Sequence, residues 1–371
     1  MRLLFAGGGT GGHINPAIAI AEAMCEKHKS AEIAFVGRRG GDENKAVTNH
    51  SYKLYTLEIR GLSRKISLEA IKSAYLAIKS LSEAKKIIRE FSPDAIIATG
   101  GYVCWPIARC GIKMGIPTLL HESNIYPGLV TRMLADKCTK LLLNSEESLT
   151  YIKGTPHFVE VGNPLRSGFF KESKQEARSR LGINAGEIFI ASFGGSLGAQ
   201  ILNEAIIGVM KKKNHSSRKI RHLHSSGKRY YEDIKRDFPE LTSDKRSPFV
   251  IKEYIDNMPT VLAAADIVIS RAGAMTISEI ARVGAAAILI PSPNVADDHQ
   301  MKNALELEAK GAAVVINEND LTHELLYSRI SELIEKRALR ESLSKNVKSF
   351  YKEDSAAKIC SEIEKAIQEN K

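Results

Sequence analysis

The fold of the first half of the chain is decided by the stretch Phe5-Ala6-Gly7-Gly8-Gly9-Thr10-Gly11-Gly12-His13, which follows the strand-like residues Arg2-Leu3-Leu4. A second stretch of this kind, Ser192-Phe193-Gly194-Gly195-Ser196-Leu197-Gly198-Ala199, follows Ile188-Phe189-Ile190 about half a chain later. A strand, a glycine turn and a helix in this order place backbone N–H groups at the positive end of a helix dipole, where phosphate oxygens bind. The repetition predicts two nucleotide-binding α/β domains that face each other across a cleft.

Length and composition favour a two-domain globular enzyme. The 371 residues are 43% hydrophobic and 26% charged, which is enough to bury two ordinary cores. No apolar run approaches the roughly 18 residues of a membrane span, and the apolar segment before the first glycines is too short for a signal peptide. The five cysteines form no C-x-x-C pair, so we expect reduced, mostly buried thiols in the cytoplasm.

The charge balance favours anionic partners. The formal net charge is +10 and the isoelectric point is near 9.2. The basic residues are dispersed and no aromatic-basic recognition motif stands out, so nucleic acid is not an expected partner. Nucleotide sugars, pyrophosphates and acidic lipid surfaces remain.

Apolar, β-rich runs alternate with helix-like stretches along the whole chain. Such alternation predicts parallel sheets with right-handed crossovers, and ligands then bind at the carboxyl ends of the strands. A helix is predicted from about Asn15 to His28, with Pro16 in its first turn. The predicted strands are Arg2–Ala6, Ile33–Val36, Ala95–Ala98, Thr118–Leu120, Lys140–Leu143, Ile188–Ser192, Lys219–His224, Phe249–Ile251, Asp266–Ser270 and Ala287–Pro291.

The domain boundary is predicted near Val161-Gly162-Asn163-Pro164, where a short strand ends in turn residues. This places residues 1–163 in the N-terminal domain and residues 164–353 in the C-terminal domain. The last stretch, about Asp354 to Gln368, has apolar residues at helical spacing. We expect this helix to pack back on the first domain.

A basic amphipathic segment lies between Arg60 and Glu90, with eight Lys or Arg against three Glu. Its apolar residues suit an anionic membrane surface, centred on Lys65, Leu68, Ile71, Lys72, Tyr75 and Lys79. An ordinary surface helix with its apolar side on the sheet explains the same spacing.

The first glycine loop also satisfies G-x-G-x-x-G through Gly7, Gly9 and Gly12, a pattern found in dinucleotide oxidoreductases. That fingerprint expects an acidic residue at the end of the second strand, which here ends Val36-Gly37-Arg38-Arg39. The pattern is therefore compatible only with an NADP-dependent oxidoreductase, and that interpretation does not explain the second glycine loop.

The glycine loops belong to a longer series of motifs that spans nearly the whole chain. The series is Gly8-Gly9-Thr10-Gly11-Gly12-His13, Gly100-Gly101-Tyr102, His121-Glu122-Ser123-Asn124, Gly162-Asn163-Pro164-Leu165-Arg166, Gly194 to Ala199, Tyr254 to Met258, Ser270 to Glu279 and His299 to Ala304. In this order it resembles the MurG family of bacterial transferases. These enzymes move N-acetylglucosamine from UDP-N-acetylglucosamine to lipid I, the lipid-linked muramyl-pentapeptide precursor of peptidoglycan, and so make lipid II.

The resemblance implies two Rossmann-like domains of the glycosyltransferase B type, with the acceptor on the N-terminal domain and UDP-N-acetylglucosamine mainly on the C-terminal one. It implies donor contacts at Thr10, Gly11, Gly12, Asn124, Arg166, Ser196, Ile255, Ala274, Met275, Thr276, Ile277, Ser278, Glu279 and Gln300. The acceptor diphosphate falls on Gly9, Thr10, Gly11, Gly100, Gly101 and Tyr102. The chain is then a peripheral protein of the cytoplasmic face of the inner membrane, with cell-wall and division proteins among its candidate partners.

Simple chemistry fits several of these assignments. The Glu279 carboxylate can accept both ribose hydroxyls, although it could instead pair with Arg282 on the next turn. The Ser196 hydroxyl can donate to a phosphate, although it could instead cap the following helix. No D-x-D sequence is present, so no metal ion and no cofactor are expected.

His13 is the implied catalytic residue. A helix N-terminus disfavours the imidazolium, so a neutral His13 can accept the proton of the acceptor hydroxyl as a general base. Donation of a hydrogen bond to a phosphate or to the backbone is an equally weighted role, and Glu122 is a reserve candidate for the base. A related transferase with another acceptor and a non-catalytic binding protein are the open alternatives.

Overall fold

The computed structural model describes residues 1–41, 43–61, 68–212, 219–243, 247–295 and 298–370. The chain divides into two compact units. Unit 1 consists of Met1–Arg166 together with Lys352–Lys371, and unit 2 consists of Ser167–Tyr351. Both contain parallel sheets with helices between successive strands, so the predicted α/β class is confirmed.

Unit 1 is built on a parallel sheet that has seven strands within the described ranges, in the order β3-β2-β1-β4-β5-β6-β7. Its strands are β1 (Arg2–Ala6), β2 (Glu32–Arg38), β3 (Lys53–Leu57), β4 (Ala95–Ala98), β5 (Thr118–Glu122), β6 (Lys140–Leu143) and β7 (Phe158–Glu160). Its helices are α1 (Gly11–Lys27), α2 (Glu43–Asn49), α3 (Leu68–Phe91), α4 (Cys104–Lys113), α5 (Leu129–Leu134) and, from the end of the chain, α15 (Ser355–Glu369).

Apolar side chains cover the unit 1 sheet on both faces. On one face α1 and α15 pack together, with Ile18 and Met24 of α1 meeting Ile359 and Ile363 of α15. Ion pairs add to this contact, since Glu364 of α15 lies 2.7 Å from Lys27 Nζ. On the other face, α3 and α4 bury a second apolar cluster. The C-terminal helix is therefore an integral part of the unit 1 core.

Unit 2 is built on a second parallel sheet, which within the described ranges has six strands in the order β10-β9-β8-β11-β12-β13. Its strands are β8 (Ile188–Phe193), β9 (Ile220–Ser225), β10 (Phe249–Lys252), β11 (Ile267–Ser270), β12 (Ala286–Leu289) and β13 (Ala313–Val315). Its helices are α6 (Lys174–Arg180), α7 (Gln200–Lys211), α8 (Tyr231–Asp237), α9 (Pro239–Thr242), α10 (Met258–Ala264), α11 (Ala274–Val283), α12 (His299–Ala309), α13 (His323–Glu335) and α14 (Arg337–Lys348).

A cluster of charges closes the amino-terminal edge of the unit 2 sheet. The Asp266 carboxylate lies 2.7 Å from Lys174 Nζ and 2.9 Å from Arg178 Nη1, and it accepts a hydrogen bond from the Phe189 backbone N–H. Burial acts to raise the pKa of Asp266, but Lys174 and these hydrogen bonds outweigh it and lower the pKa. This cluster fastens α6 to β8 and β11 at the edge opposite the glycine loop.

The structure corrects three details of the sequence prediction. Helix α1 begins at Gly11 rather than near Asn15, so Gly11 and Gly12 form its first turn, and Pro16 lies inside the helix rather than in that turn. Strands β3 and β13 were missed because both are edge strands without a long apolar run. The two units meet in sequence after Arg166 and after Tyr351, whereas the predicted boundaries are at residues 163 and 353.

Candidate functional site

The topology of each sheet places one glycine loop at a point where the strand order reverses. In unit 1, β1 and β4 are neighbours and the chain winds outward from them in opposite directions. In unit 2, β8 and β11 have the same relation. The carboxyl ends of such strand pairs leave a crevice in which α/β proteins bind their ligands. The two glycine loops follow β1 and β8, one at each of these points.

The first glycine loop leads directly into the amino terminus of α1. Thr10 is the residue that precedes the helix, and its hydroxyl makes no capping hydrogen bond. The first turn carries no acidic side chain, and Gly9, Thr10, Gly11 and Gly12 are all exposed. Since the N–H groups of a first turn have no partner within the helix, this end of α1 offers donors and a positive dipole to an anion.

His13 is held against the loop that follows β4. The Thr99 hydroxyl donates a 2.7 Å hydrogen bond to the His13 carbonyl oxygen, which joins the two loops. The half-buried imidazole lies on the backbone of Gly100, whose φ is +112°, and next to Gly101. A Cβ atom at Gly100 would collide with the imidazole ring. The glycines therefore leave the space that the His13 ring occupies.

Tyr102 completes this group in unit 1. Its ring packs against Gly9 on one loop and against Gly61, which follows β3. Gly9, Gly100, Gly101 and Tyr102 therefore lie together around the start of α1. These are the residues for which the resemblance implied contact with the acceptor diphosphate.

Glu122 organises the turn that carries Asn124. One carboxylate oxygen accepts from the Asn124 backbone N–H and from its side-chain amide at 3.0 and 3.1 Å. The other accepts from the Gly128 N–H at 2.9 Å and from the Thr131 hydroxyl at 2.7 Å. These four bonds use both oxygens of a buried carboxylate. Glu122 therefore fixes the half-buried Asn124 in place and is not suited to act as a mobile base.

Arg166 is the last residue of the first segment of unit 1 and is half-buried. Its Nε is buried and makes no hydrogen bond to any residue that the structure describes. A buried guanidinium N–H without a partner costs free energy.

In unit 2, the second glycine loop leads into α7. Ala199 is the residue that precedes the helix. The alternative prediction that Ser196 caps this helix is therefore wrong. Ser196 is exposed at the tip of the loop. The base of the loop is close-packed, since a Cβ at Gly198, whose φ is +81°, would overlap the Ser226 carbonyl oxygen.

The segment from Ala274 to Glu279 forms the first turns of α11, with Gly273 preceding the helix. The side chains of Met275 and Ile277 are buried. The Ser278 hydroxyl donates to the Ala274 carbonyl at 3.1 Å, while Ala274 and Thr276 are half-buried.

Glu279 is 7% exposed in the second turn of α11. Arg282 is the residue with which Glu279 could instead form an ion pair. Its guanidinium lies over the rings of Phe170 and Tyr351, 4.9 and 5.7 Å from their centroids. These contacts give Arg282 a packing role of its own within unit 2.

Two further predicted residues lie after β10 and on α12. Ile255 is buried and follows the exposed Tyr254, so its side chain anchors the segment while its backbone follows the turn. Gln300 is half-buried, and its side-chain oxygen accepts a 3.0 Å hydrogen bond from the Ser292 N–H. Gln300 therefore also fixes the loop between β12 and α12.

Sequence reasoning missed the polar residues that support these loops. Thr99 joins the two loops of unit 1. In unit 2, Arg271 donates to the Ile290 carbonyl at 3.1 Å and pairs with the buried Glu318. A chain of buried side chains that includes His222 and His224 lies behind the second glycine loop. Thr99 and Arg271 are isolated polar residues that follow apolar strands, and the sequence gives no signal for their contacts. The two histidines of β9 are visible in the sequence as a pair in one strand.

Two kinds of feature are absent from the part of the chain that the structure describes. No group of three or more His, Cys, Asp or Glu in this part of the chain is arranged to hold a metal ion. None of the helices within the described ranges is long and apolar enough to cross a bilayer.

Comparison with known families covers both units. Residues 3–143 match the N-terminal domain of glycosyltransferase family 28, and residues 189–359 match the C-terminal domain of the same family. Neither description is that of a dinucleotide oxidoreductase, so that alternative is not favoured. The two matched ranges include both glycine loops.

Related proteins match the chain from end to end. One from Thermoanaerobacter sp. (strain X514) is 42% identical over 97% of this chain and 98% of its own length. One from Acetivibrio thermocellus is 36% identical over 100% and 99%. Both are named UDP-N-acetylglucosamine--N-acetylmuramyl-(pentapeptide) pyrophosphoryl-undecaprenol N-acetylglucosamine transferase. The crystal structure of MurG from Acinetobacter baumannii has the same fold, with a TM-score of 0.73 at 24% identity over 98% of this chain and 99% of that one.

Proposed function

The chain belongs to the MurG family within glycosyltransferase family 28, and on that premise we propose that it transfers N-acetylglucosamine from UDP-N-acetylglucosamine to lipid I, giving lipid II. The observation that carries the proposal is the pair of glycine loops. Each opens onto a helix N-terminus where the strand order of its own sheet reverses. A transferase with a nucleotide diphosphate donor and a diphosphate-linked acceptor has use for two such sites.

We place the donor on unit 2. The exposed Ser196 and the N-terminus of α7 offer donors to the diphosphate. The carboxylate of Glu279 accepts the ribose hydroxyls, and the backbone at Ile255 faces the edge of uracil. Ala274 to Ser278 and Gln300 line the remainder of the donor site on this unit. For Thr10, Gly11, Gly12, Asn124 and Arg166, which belong to unit 1, a donor contact stays a prediction from the family resemblance. The near-complete burial of Glu279 supports its role, because a buried carboxylate forms strong charge-assisted hydrogen bonds.

We place the acceptor diphosphate on unit 1, at the amino terminus of α1. Gly9, Thr10 and Gly11 supply the helix terminus, and Gly100, Gly101 and Tyr102 form the adjoining wall. The absence of acidic side chains in the first turn of α1 supports an anionic ligand there. His13 lies at the same place, where its carbonyl oxygen accepts from the Thr99 hydroxyl and its ring lies against the backbone of Gly100.

The proposed chemistry is a single displacement that inverts the anomeric carbon. The muramyl 4-hydroxyl attacks this carbon from the face opposite UDP, a new C–O bond forms, and the bond to the β-phosphate oxygen of UDP breaks. His13 either takes the hydroxyl proton or orients a reacting group by a hydrogen bond. Helix N-termini and the Arg166 guanidinium stabilise the charge that develops on the departing UDP. The chain's own residues can therefore supply the electrostatic stabilisation.

One incubation tests the function directly. The purified chain is mixed with radiolabelled UDP-N-acetylglucosamine and a short-chain lipid I analogue. We expect label in the product lipid only when the acceptor is present. A panel of other nucleotide sugars and acceptors separates this activity from that of a related transferase. Turnover with a different donor and acceptor, and none with UDP-N-acetylglucosamine and the lipid I analogue, would contradict the proposal.

We further propose that unit 1 binds an anionic membrane surface through the outer face of α3. Tyr75 and Ile78 are 65% and 69% exposed, whereas Leu76 and Ser80 face the core. Lys79 is a weaker candidate than its sequence position implies, because its ammonium group lies 2.8 Å from a Glu58 carboxylate oxygen. Lys65 lies outside the described residues, as do the side chains of Leu68, Ile71 and Lys72. The basic composition of the segment supports attraction to acidic lipids.

Liposome pelleting tests this surface. The variant Tyr75→Ser with Ile78→Ser should bind anionic vesicles more weakly than the parent. Leu305→Ser is the matched control, because Leu305 is also exposed, at 49%, but belongs to unit 2. Binding should also weaken with salt, since exposed charges are screened. Equal pelleting of the double variant and the parent would exclude this face. The cytoplasmic side of the inner membrane and contacts with cell-wall or division proteins remain part of the proposal.

A further inference from the structure

A chain of buried polar side chains lies behind the second glycine loop. The Ser192 hydroxyl oxygen is 2.7 Å from His222 Nε2 and 2.8 Å from His224 Nδ1. His224 Nε2 is 3.0 Å from Asn203 Oδ1, and Asn203 Nδ2 donates a 3.0 Å hydrogen bond to the Ser226 carbonyl oxygen. All five residues are buried. These hydrogen-bonded side chains thus link the end of β8, the start of α7 and the turn after β9.

The direction of these hydrogen bonds follows from the last group in the series, the Ser226 carbonyl oxygen. A carbonyl oxygen can only accept, so Asn203 presents its amide N–H to Ser226 and its oxygen to His224. His224 Nε2 must then carry a proton and donate it to Asn203. Burial lowers the pKa of His224 to about 4, so the ring is neutral at neutral pH. Its Nδ1 lies 2.8 Å from the hydroxyl oxygen and 3.1 Å from the carbonyl oxygen of Ser192. The bonds from His224 through Asn203 to the Ser226 carbonyl therefore have a single direction.

The hydrogen-bonded series of side chains ends at the Ser226 carbonyl, which lies in the turn that joins two parts of the proposed donor site. On one side this turn packs against the glycine loop, since a Cβ at Gly227 would overlap the Gly198 backbone nitrogen. On the other side, the Ser226 N–H donates to the Lys252 carbonyl at 3.0 Å, and the Gly227 N–H donates to the Glu253 carbonyl at 3.0 Å. Glu253 is two residues before Ile255. The turn therefore sits between the phosphate-binding loop and the segment proposed to meet uracil.

We propose that His224 and Asn203 are positioning residues for the nucleoside diphosphate of the donor. By fixing the Ser226 carbonyl, they set the spacing between the glycine loop at Gly198 and the segment that leads to Ile255. The inference rests on the donor site proposed above and adds residues that do not touch the ligand. An apolar pair of similar size would fill the same space but would leave the Ser226 carbonyl without its partner.

The first test compares two buried histidines of one strand. His224→Leu removes the link to Asn203, whereas His222→Leu removes a buried imidazole but leaves the Asn203 to Ser226 bond intact. UDP binding is measured by titration calorimetry and folding by thermal denaturation. We expect UDP affinity to fall about tenfold or more in the His224 variant and to change less than about twofold in the control. The donor KM should rise as UDP affinity falls, with a smaller change in kcat.

Two polar variants locate the effect and remain usable if the leucine variant does not fold. His224→Gln keeps an N–H near the Asn203 oxygen, so UDP affinity should stay within about threefold of the parent. Asn203→Asp can still accept from His224 but faces the Ser226 carbonyl with an acceptor, so affinity should fall about tenfold.

Three results separate the inference from the function it rests on. Parent-like UDP affinity in Asn203→Asp would overturn the positioning role. Equal losses of affinity in the two leucine variants would also overturn it, because they would show general destabilisation. A parent protein that fails to bind UDP would contradict the proposed function itself.

Discussion

Gly100 offers a way to displace His13 without altering His13. The substitution Gly100→Ala places a methyl group 2.8 Å from Cε1 and 3.2 Å from Cγ of the imidazole. Carbon atoms in favourable contact lie about 3.5–4.0 Å apart. The ring must therefore move by up to about 1 Å. A misplacement of about this size at a reacting group can lower a rate roughly 100-fold.

The same substitution also strains the backbone, and this effect needs its own control. Gly100 has a φ of +112°, where a side chain costs about 1–3 kcal/mol. Gly115, at the end of α4 in the same unit, has a φ of +70° and nothing within 4 Å of an added Cβ. Gly115→Ala thus carries a backbone cost of about 1–2 kcal/mol without touching His13.

The assay is transfer of radiolabel from UDP-N-acetylglucosamine to the lipid I analogue, with urea unfolding and UDP binding measured in parallel. We expect both alanine variants to lose a small amount of unfolding free energy and to keep their UDP affinity, since the donor is placed mainly on unit 2. Only Gly100→Ala should lose kcat, by roughly 100-fold. Equal kcat in the two variants would refute the argument that the imidazole position matters for the reaction.

Three other predictions concern charge and proton transfer. Glu279→Ala should cost roughly 2–4 kcal/mol of donor binding or transition-state stabilisation, measured as kcat/KM for the donor, and unchanged kinetics would remove Glu279 from the site. His13→Ala should lower kcat by about 10²–10⁴-fold with UDP affinity retained, whereas a His13→Gln variant with most of the activity would favour the hydrogen-bonding role. Because burial lowers the pKa of His224 from 6.5 to about 4, the unfolded chain binds more protons between these values, and stability falls as pH falls through that window. The loss attributable to His224 is at most about 3 kcal/mol, and urea unfolding at pH 7 and pH 5 should show a smaller decrease for His224→Gln than for the parent.

The parts of the fold that could be predicted are those with a strong local signal. Ala95–Ala98 and Lys140–Leu143 are short apolar runs between helices, and both strands have the predicted bounds. Strand β3 was missed because its residues Lys53–Leu57 are mostly half-buried at the edge of the sheet, which weakens the apolar pattern. The start of α1 was placed too late because glycine has low helix propensity, and the sequence does not show that Thr10 takes the position before the helix.

The site residues divide in the same way. The motifs placed Gly100, Gly101 and Tyr102 near the first glycine loop, and the structure brings them together with His13. The supporting contacts could not be predicted, because they join residues far apart in the chain. Thr99 bonds to the His13 carbonyl across 86 positions, and Glu122 accepts four bonds that depend on the path of one turn. A single sequence carries no signal for such pairings.

The return of α15 to unit 1 has a consequence for the order in which the chain folds during synthesis. Domains generally fold as units as they leave the ribosome, the N-terminal one first. Here Ile359, Ile363 and Ile367 pack in the cluster that contains Ile18 of α1, so the first unit to be made lacks part of its core until α15 has been translated. Unit 2 lies wholly within residues 167–351 and has all of its own strands earlier. Unit 2, although it is translated later, can therefore finish folding first. Removal of α15 would expose the apolar face of α1, which lies more than 300 residues earlier in the sequence.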